Sequence, residues 1–227
     1  MVTKSSAPPD LRHIRGIIWD LDNTLYRFDD ALIEAFHIAM ARAALDNGLV
    51  MDLHTAVALA RRSFAEHGQS SKIFTNDYGI SFAAIHHGFH HHINEKLITA
   101  CNDTHAQFER LDMRHVLITH ASKEWALRVL QHIGLAPWFP PERVFGLECH
   151  DFKRKDSSRA PFESALKALG LKAANVMMVE DTLQNLRIPH EMGMTTVFLH
   201  HGQEPENIPP FAQLSCANAI EILDLLE

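Results

Sequence analysis

The chain is 227 residues long, 46% hydrophobic, with a formal net charge of -7. That length allows one sizeable core, or a core with a smaller inserted domain. The acidic balance leaves no basic footprint for a nucleic-acid polymer, and no run approaches the roughly 18 apolar residues of a membrane helix.

The opening "MVTKSSAPPDLRHIR" lacks the apolar stretch of a secretory signal. Residues 1–11, rich in Ser and Pro, read as a loose leader. Residues 17–22, "IIWDLD", read as a central parallel strand that is apolar on both faces and ends in two acids. From residue 29 to about 47 the apolar residues Leu32, Ile33, Phe36, Ile38, Met40 and Leu45 recur at helical spacing, with Gly48 as a stop. A second helix is expected over 54–67, stopped by Gly68. "FTNDYGI" reads as a turn, and "SFAAIHHGFHHHINEKLI" as a helix with Gly88 as its weak point. Residues 28–110 therefore form an all-helical block.

Strand texture returns with "HVLITH" (115–120), then the helix "SKEWALRVLQHIGL" capped by Ser122, the strand "RVFGLE" (143–148) and the helix "APFESALKALG". "NVMMVED" (175–181) is a strand ending in acids, followed by the helix "TLQNLRIPHEMG", the strand "TTVFLH" (195–200) and a closing helix "ANAIEILDLL". Alternating strand and helix, with long crossovers, predicts an α/β fold with a Rossmann-like parallel sheet. The expected division is a core of residues 12–27 and 111–227 with an inserted helical cap of 28–110. Cys101, Cys149 and Cys216 are odd in number and form no CxxC pair. They read as reduced thiols in a cytoplasmic protein.

In an open parallel sheet, ligands collect beyond the carboxyl ends of the strands. Three expected strands end there in polar groups: Asp20 and Asp22, Thr119 and His120, and Glu180 and Asp181. The basic run Lys153, Arg154, Lys155 follows a further strand. Four clustered carboxylates repel unless a cation neutralises them, and an oxygen-rich set suits Mg²⁺. A local cation lets an acidic protein hold a phosphate.

These residues carry a resemblance. "DLDNTLY" resembles the DxDxT motif of the haloacid dehalogenase superfamily, "LITH" its second motif and "VEDTLQN" its fourth. The helical block sits where subfamily I of that superfamily carries a cap. "WDLDNTLY", "EDTLQNLRIPHEMGMTTVFL" and "NDYG" look most like the pyrimidine 5'-nucleotidase group. The resemblance implies an enzyme: a Mg²⁺-dependent phosphatase that hydrolyses a small phosphate monoester through an aspartyl-phosphate, with a pyrimidine nucleoside monophosphate as the finer expectation. A sugar-phosphate or phosphoglycolate-type phosphatase is the alternative. A non-catalytic phospholigand-binding protein on the same scaffold is a reading of another class. The expected partner is a small phosphorylated substrate, with no nucleic-acid polymer and no membrane; a homodimer is left open.

The resemblance also implies roles. Asp20 would be the nucleophile, and Asp22 would protonate the leaving oxygen and then activate water. Mg²⁺ would be held by Asp20, the main-chain carbonyl of Asp22, and Asp181, with Glu180 beside or just behind it. Thr119 would bind phosphate and Asn185 would steady the site. The third motif calls for a lysine: Lys155 is chosen, with Lys153 and Arg159 as rivals, because no Pro follows Lys155. His120 stands where Asn is more usual. It can donate to phosphate, and would add pH dependence. His86, His87, His90, His91 and His92 have helical spacing that allows a transition metal, but no Cys or clear acid completes that site. They read instead as surface or interface residues, with a substrate contact left open for one of them. Trp19 and Trp125 read as packing residues, Tyr26 and Phe28 as candidate substrate contacts.

Overall fold

The strand that leads to the first acids, β1 (Gly16–Trp19), lies mid-sheet with all four residues buried. In the computed structural model, which describes residues 10–99, 102–203 and 205–226, β1 pairs in parallel with β2 (Arg114–Ile118) and with β4 (Val176–Glu180). β3 (Val144–Phe145) lies outside β2. β5 (Thr195–Leu199) and β6 (Leu214–Cys216) lie outside β4. The order is β3-β2-β1-β4-β5-β6, and every pairing is parallel. This is a doubly wound, Rossmann-like α/β sheet. Its order reverses between β1 and β4, and a crevice opens at the carboxyl ends there.

Both faces of the sheet are covered, which explains strands that are apolar throughout. Ile17 and Trp19 face one core with Leu117, Trp125 and Val179, while Ile18 faces the other with Ile118, Phe162 and Met178. The helices α6 (Lys123–His132), α7 (Ala160–Leu169), α8 (Arg187–Glu191) and α9 (Ala219–Asp224) flank the sheet. Ser122 caps α6 by accepting from Trp125 N–H at 3.2 Å. Gly146 permits a close approach: a Cβ there would lie 2.2 Å from the Lys123 nitrogen. The β3 end can therefore press against the start of α6 and fix the loop that carries Thr119.

The insert after β1 has its own small core. α1 (Asp30–Asp46), α2 (Leu53–His67), α3 (Lys72–Asn76) and α4 (Phe82–Phe89) bury Met40, Ala44, Val57, Ala60, Phe74 and Ile85 together. Asp29 and Asp52 cap the first two helices, and Gly68, at φ 67°, ends the second.

The sequence expectations differ from the structure in several places. Of the strand expected over 143–148 only Val144–Phe145 is a strand, and Leu147–His150 is a 3-10 turn. The helix expected over "TLQNLRIPHEMG" is an α-helix only from Arg187 to Glu191, after a 3-10 turn at Leu183–Leu186. Residues 72–76 form α3, so the turn expected over "FTNDYGI" begins only at Asp77. The helix expected over 81–98 stops at Phe89, and His90–His92 and Glu95–Leu97 are tighter 3-10 turns. β6 is three residues long, too short to show alternation. The last helix of the expected cap, α5 (Asn102–Arg110), lies on the core: Phe108 packs 5.4 Å from the Trp19 ring and 4.7 Å from His115, and Gln107 donates to Asp224 of α9 at 3.0 Å. The cap boundary read at residue 110 therefore falls one helix too late. Among the described residues, no helix is long and apolar enough to cross a membrane. Cys149 and Cys216 are free thiols; Cys101 and residues 1–9 of the expected leader lie outside the described residues.

Candidate active site

Asp20 is the first residue beyond β1, and its N–H is still held by Val179 O at 3.0 Å. The chain then turns sharply, with Leu25 N–H bonding Leu21 O at 3.0 Å and Asn23 at φ 58°. Asp20 and Asp22 therefore do not share a face as they would on a straight strand. Asp20 turns down between β1 and β4. Asp22 turns toward α6.

Asp20 is held from two sides. Thr24 Oγ1 donates to Oδ2 at 3.2 Å, and Lys155 Nζ donates to Oδ1. The same ammonium donates to Glu180 Oε2 at 2.5 Å and to Ile118 O at 3.5 Å. Lys155 is buried, whereas Lys153 and Arg159 are exposed. Two consecutive residues in the left-handed region, Asp151 and Phe152 (φ 53° and 59°), wind the loop so that Lys155 alone of the three points inward. Burial would push this lysine down, but the charges of Asp20 and Glu180 outweigh it and hold it above the ordinary range.

Asp181 accepts from Asn23 Nδ2 at 2.8 Å and from Thr182 Oγ1 at 3.3 Å. Asn185, four residues further on, is buried. Asp22 accepts from the Tyr26 hydroxyl, from Trp125 Nε1 at 3.4 Å and from Thr119 Oγ1 at 3.3 Å. Tyr26 and Trp125 thus hold the second acid, a role the sequence did not show. Tyr26 and Thr24 each sit four residues after the acid they hold, a spacing that was visible. Trp125 lies 103 residues from Asp22 and gave no signal.

Four carboxylates and one ammonium meet here, and the excess negative charge shows in their proton affinities. Burial, with the charge of Glu180, raises Asp20 to about 7 against the pull of Lys155. Burial raises Glu180 to about 7 and Asp181 to about 6. Burial also raises Asp22, against the hydrogen bonds from Tyr26, Trp125 and Thr119. Donor oxygens of Asp20, Glu180 and Asp181 all lie within 4.8 Å of one another, the one such set of metal-ligating side chains among the described residues. An all-oxygen set with surplus negative charge fits a hard dication such as Mg²⁺.

His120 also lies at this edge, but its Nε2 accepts the Lys155 main-chain N–H at 3.0 Å. Burial and the charges of Lys155 and Arg154 push it down to about 2. It is a neutral imidazole that orients the lysine loop, so the pH dependence expected of it near neutrality does not follow. The histidine run fans out instead of converging. His86 bonds Glu148 at 3.1 Å, His90 bonds Ser122 at 3.1 Å, His91 bonds Glu124 at 3.0 Å and His92 bonds Asp46 at 2.8 Å. Three of these bonds join the insert to the core. Phe28 and Asp22 face a cavity between insert and core.

A family described as haloacid dehalogenase-like hydrolase matches residues 14–193. A comparison with curated proteins finds no match. Among solved structures, a HAD phosphatase from Thermococcus onnurineus aligns with TM-score 0.64 at 16% identity, over 94% of this chain and 98% of that one. The 2-haloacid dehalogenase of Pseudomonas syringae aligns with TM-score 0.58 at 18% identity, over 94% and 98%. A magnesium-bound Bacillus subtilis protein described as a putative HAD-hydrolase, YfnB, aligns with TM-score 0.62 at 15% identity, over 94% and 99%. At these identities the likeness is one of fold. The family match spans both strands that flank the crevice, and the chain belongs to the haloacid dehalogenase-like hydrolases.

Proposed function

We propose that the chain is a Mg²⁺-dependent phosphomonoester hydrolase that works through an aspartyl-phosphate on Asp20. Relatives of this fold include both phosphatases and dehalogenases. The observation that favours phosphoryl transfer is Asp22. An alkoxide leaving group needs a proton and a halide does not, and Asp22 is a half-buried carboxyl with raised proton affinity at the edge of a partly open cavity.

A carboxylate oxygen of Asp20 attacks phosphorus, the bond to the leaving oxygen breaks, and Asp22 gives that oxygen its proton. Asp22, now ionised, takes a proton from water as the water attacks phosphorus. The bond to Asp20 breaks and inorganic phosphate leaves. Lys155 balances the charge on Asp20 throughout. Thr119 turns its hydroxyl from Asp22 toward the phosphate. Asp20, Asp181 and the main-chain carbonyl of Asp22, with Glu180 behind them, would hold Mg²⁺, which supplies charge stabilisation to the phosphoryl oxygens. The helical insert from residue 28 serves as the lid that excludes water.

A pyrimidine nucleoside monophosphate is the substrate suggested by the sequence resemblance, in a cytoplasmic setting. The test is release of inorganic phosphate from a panel of nucleotides and sugar phosphates, with Mg²⁺ and with chelator. We expect activity only with the metal, and a loss of at least about a thousandfold in Asp20→Asn. Turnover in chelator, or near-normal turnover in Asp20→Asn, contradicts the mechanism. Release of halide from a haloacid in place of phosphate would move the chain to the dehalogenases.

A further inference from the structure

Above Asp22 the insert and the core line a partly open cavity of about 250 Å³. α1 contributes Ile33, Phe36, His37 and Met40, spaced three or four apart, so one face of the helix forms a continuous wall. Three aromatic rings run in a chain along it: Phe28 to Phe36 at 5.3 Å, and Phe36 to Phe89 at 5.5 Å. Phe28 stands nearest the catalytic turn, since its N–H bonds Asn23 Oδ1 at 3.1 Å. From Ile33 to Met40 the wall runs about 10 Å along the helix.

A wall of this kind takes a flat ring by stacked or edge contact. It is a poor place for a bare hexose, whose hydroxyls on every ring carbon would face carbon without partners. Most polar groups in the wall are already engaged with the protein: His86 with Glu148, His90 with Ser122, and His120 Nε2 with the lysine loop. The insert side offers an exception. His37 Nδ1 meets Ser70 Oγ at 3.1 Å and its ring lies edge-on to Phe64 at 5.4 Å, while Nε2 has no partner among the described residues. Gln69, next to Ser70 in the chain, also lines the cavity. Pockets for small molecules are built this way, mostly apolar with a few placed polar groups.

We infer that this cavity is the leaving-group site and that it takes a flat aromatic ring with a hydrogen-bonding edge, read by His37 and Gln69; this rests on Asp20 and Asp22 acting on a phosphate ester as proposed above. Pyrimidine nucleotides and pyridoxal phosphate share that chemistry. Glucose 6-phosphate and phosphoglycolate lack it.

The full-length protein with Mg²⁺ is assayed on uridine 5'-monophosphate, pyridoxal 5'-phosphate, glucose 6-phosphate and phosphoglycolate. Acetyl phosphate is included as a phosphoryl donor that needs no ring site. The expected result is a kcat/KM for at least one ring ester tenfold or more above both non-ring esters; the preferred ring names the source. A non-ring ester turned over as well as the ring esters overturns the inference. Uridine, pyridoxal and glucose are tested alongside for thermal stabilisation of the protein, which reads the cavity without chemistry. If nothing is hydrolysed, acetyl phosphate included, the phosphatase reading fails and binding decides the cavity. Stabilisation by a ring compound and not by glucose then supports it; none by either ring compound overturns it. His37→Leu should raise KM for the preferred ring ester about fivefold to tenfold, the size of one lost hydrogen bond, and change kcat less. A fall in kcat with KM unchanged removes His37 from ring recognition.

Discussion

The floor of the site and the cavity above it are built from opposite materials. On the floor, Asp20, Asp22, Glu180 and Asp181 each accept hydrogen bonds from named neighbours, and one buried ammonium ties Asp20 to Glu180. In the cavity the walls are mainly phenylalanine and aliphatic carbon, with a few polar groups from both insert and core among them. The sheet supplies the floor, because parallel strands deliver their ends to one edge. The insert supplies the walls. Charge on the floor fixes which reaction runs, and shape in the cavity fixes which leaving group enters. If so, the two can be damaged separately.

The largest separable effect is expected on the floor. Lys155→Ala should lower kcat a hundredfold or more, because the charge that balances Asp20 is gone. It should also cost about 3–5 kcal/mol of stability, since two carboxylates are left buried without their partner. Kinetics and denaturant melts of the variant check both. Lys153→Ala and Arg159→Ala, altering exposed side chains, should stay near wild type; a large loss at either would mean that the loop docks differently.

A smaller effect is expected in the cavity. Phe36→Ala removes the middle ring of the aromatic chain. It should raise KM for the true substrate about tenfold while kcat changes little, the mark of binding lost equally from ground and transition states. A fall in kcat matching that of Lys155→Ala would merge the two regions into one.

A third effect, on stability and not on turnover, lies beneath both. His115 is buried in β2, with Nδ1 accepting from Trp19 Nε1 at 3.1 Å and Nε2 lacking a hydrogen-bond partner among the described residues. Burial lowers it to about 4. The unfolded chain therefore takes up a proton first. The stability tied to the neutral ring is complete above about pH 6.5 and is lost as pH falls toward 4, by up to roughly 3 kcal/mol. Melts from pH 7 to 4 should show this slope, flatter in His115→Gln. An unchanged slope would assign acid lability to other groups.

Much of the floor was legible before the structure because strand ends are legible. An apolar run that stops at acids, repeated in chain order, marks the sheet edge, and the structure brings Asp20, Thr119, Lys155, Glu180 and Asp181 to that edge. Lys155 was the lysine chosen from the sequence, with Lys153 and Arg159 as rivals; the two left-handed residues that turn it inward are announced by no propensity. Trp125 was invisible as a partner of Asp22, because a contact across 103 residues leaves no local pattern. α5 read as one more helix of the insert, since helical spacing does not say which neighbour a helix packs on. The cavity was least legible of all: its residues were visible as apolar stripes, yet only the docking of insert on core turns them into a wall.

The central claim is a phosphoryl group carried covalently by Asp20 and released with the help of Asp22. Asp22→Asn separates the two steps, because p-nitrophenol leaves without needing a proton while the second step still lacks its base. With p-nitrophenyl phosphate and Mg²⁺, this variant should release one p-nitrophenol per enzyme in a burst. Rapid acid quench and peptide mass analysis should then find the added phosphate on the peptide that carries Asp20. Steady release with no burst and no phosphorylated Asp20 peptide would contradict the account.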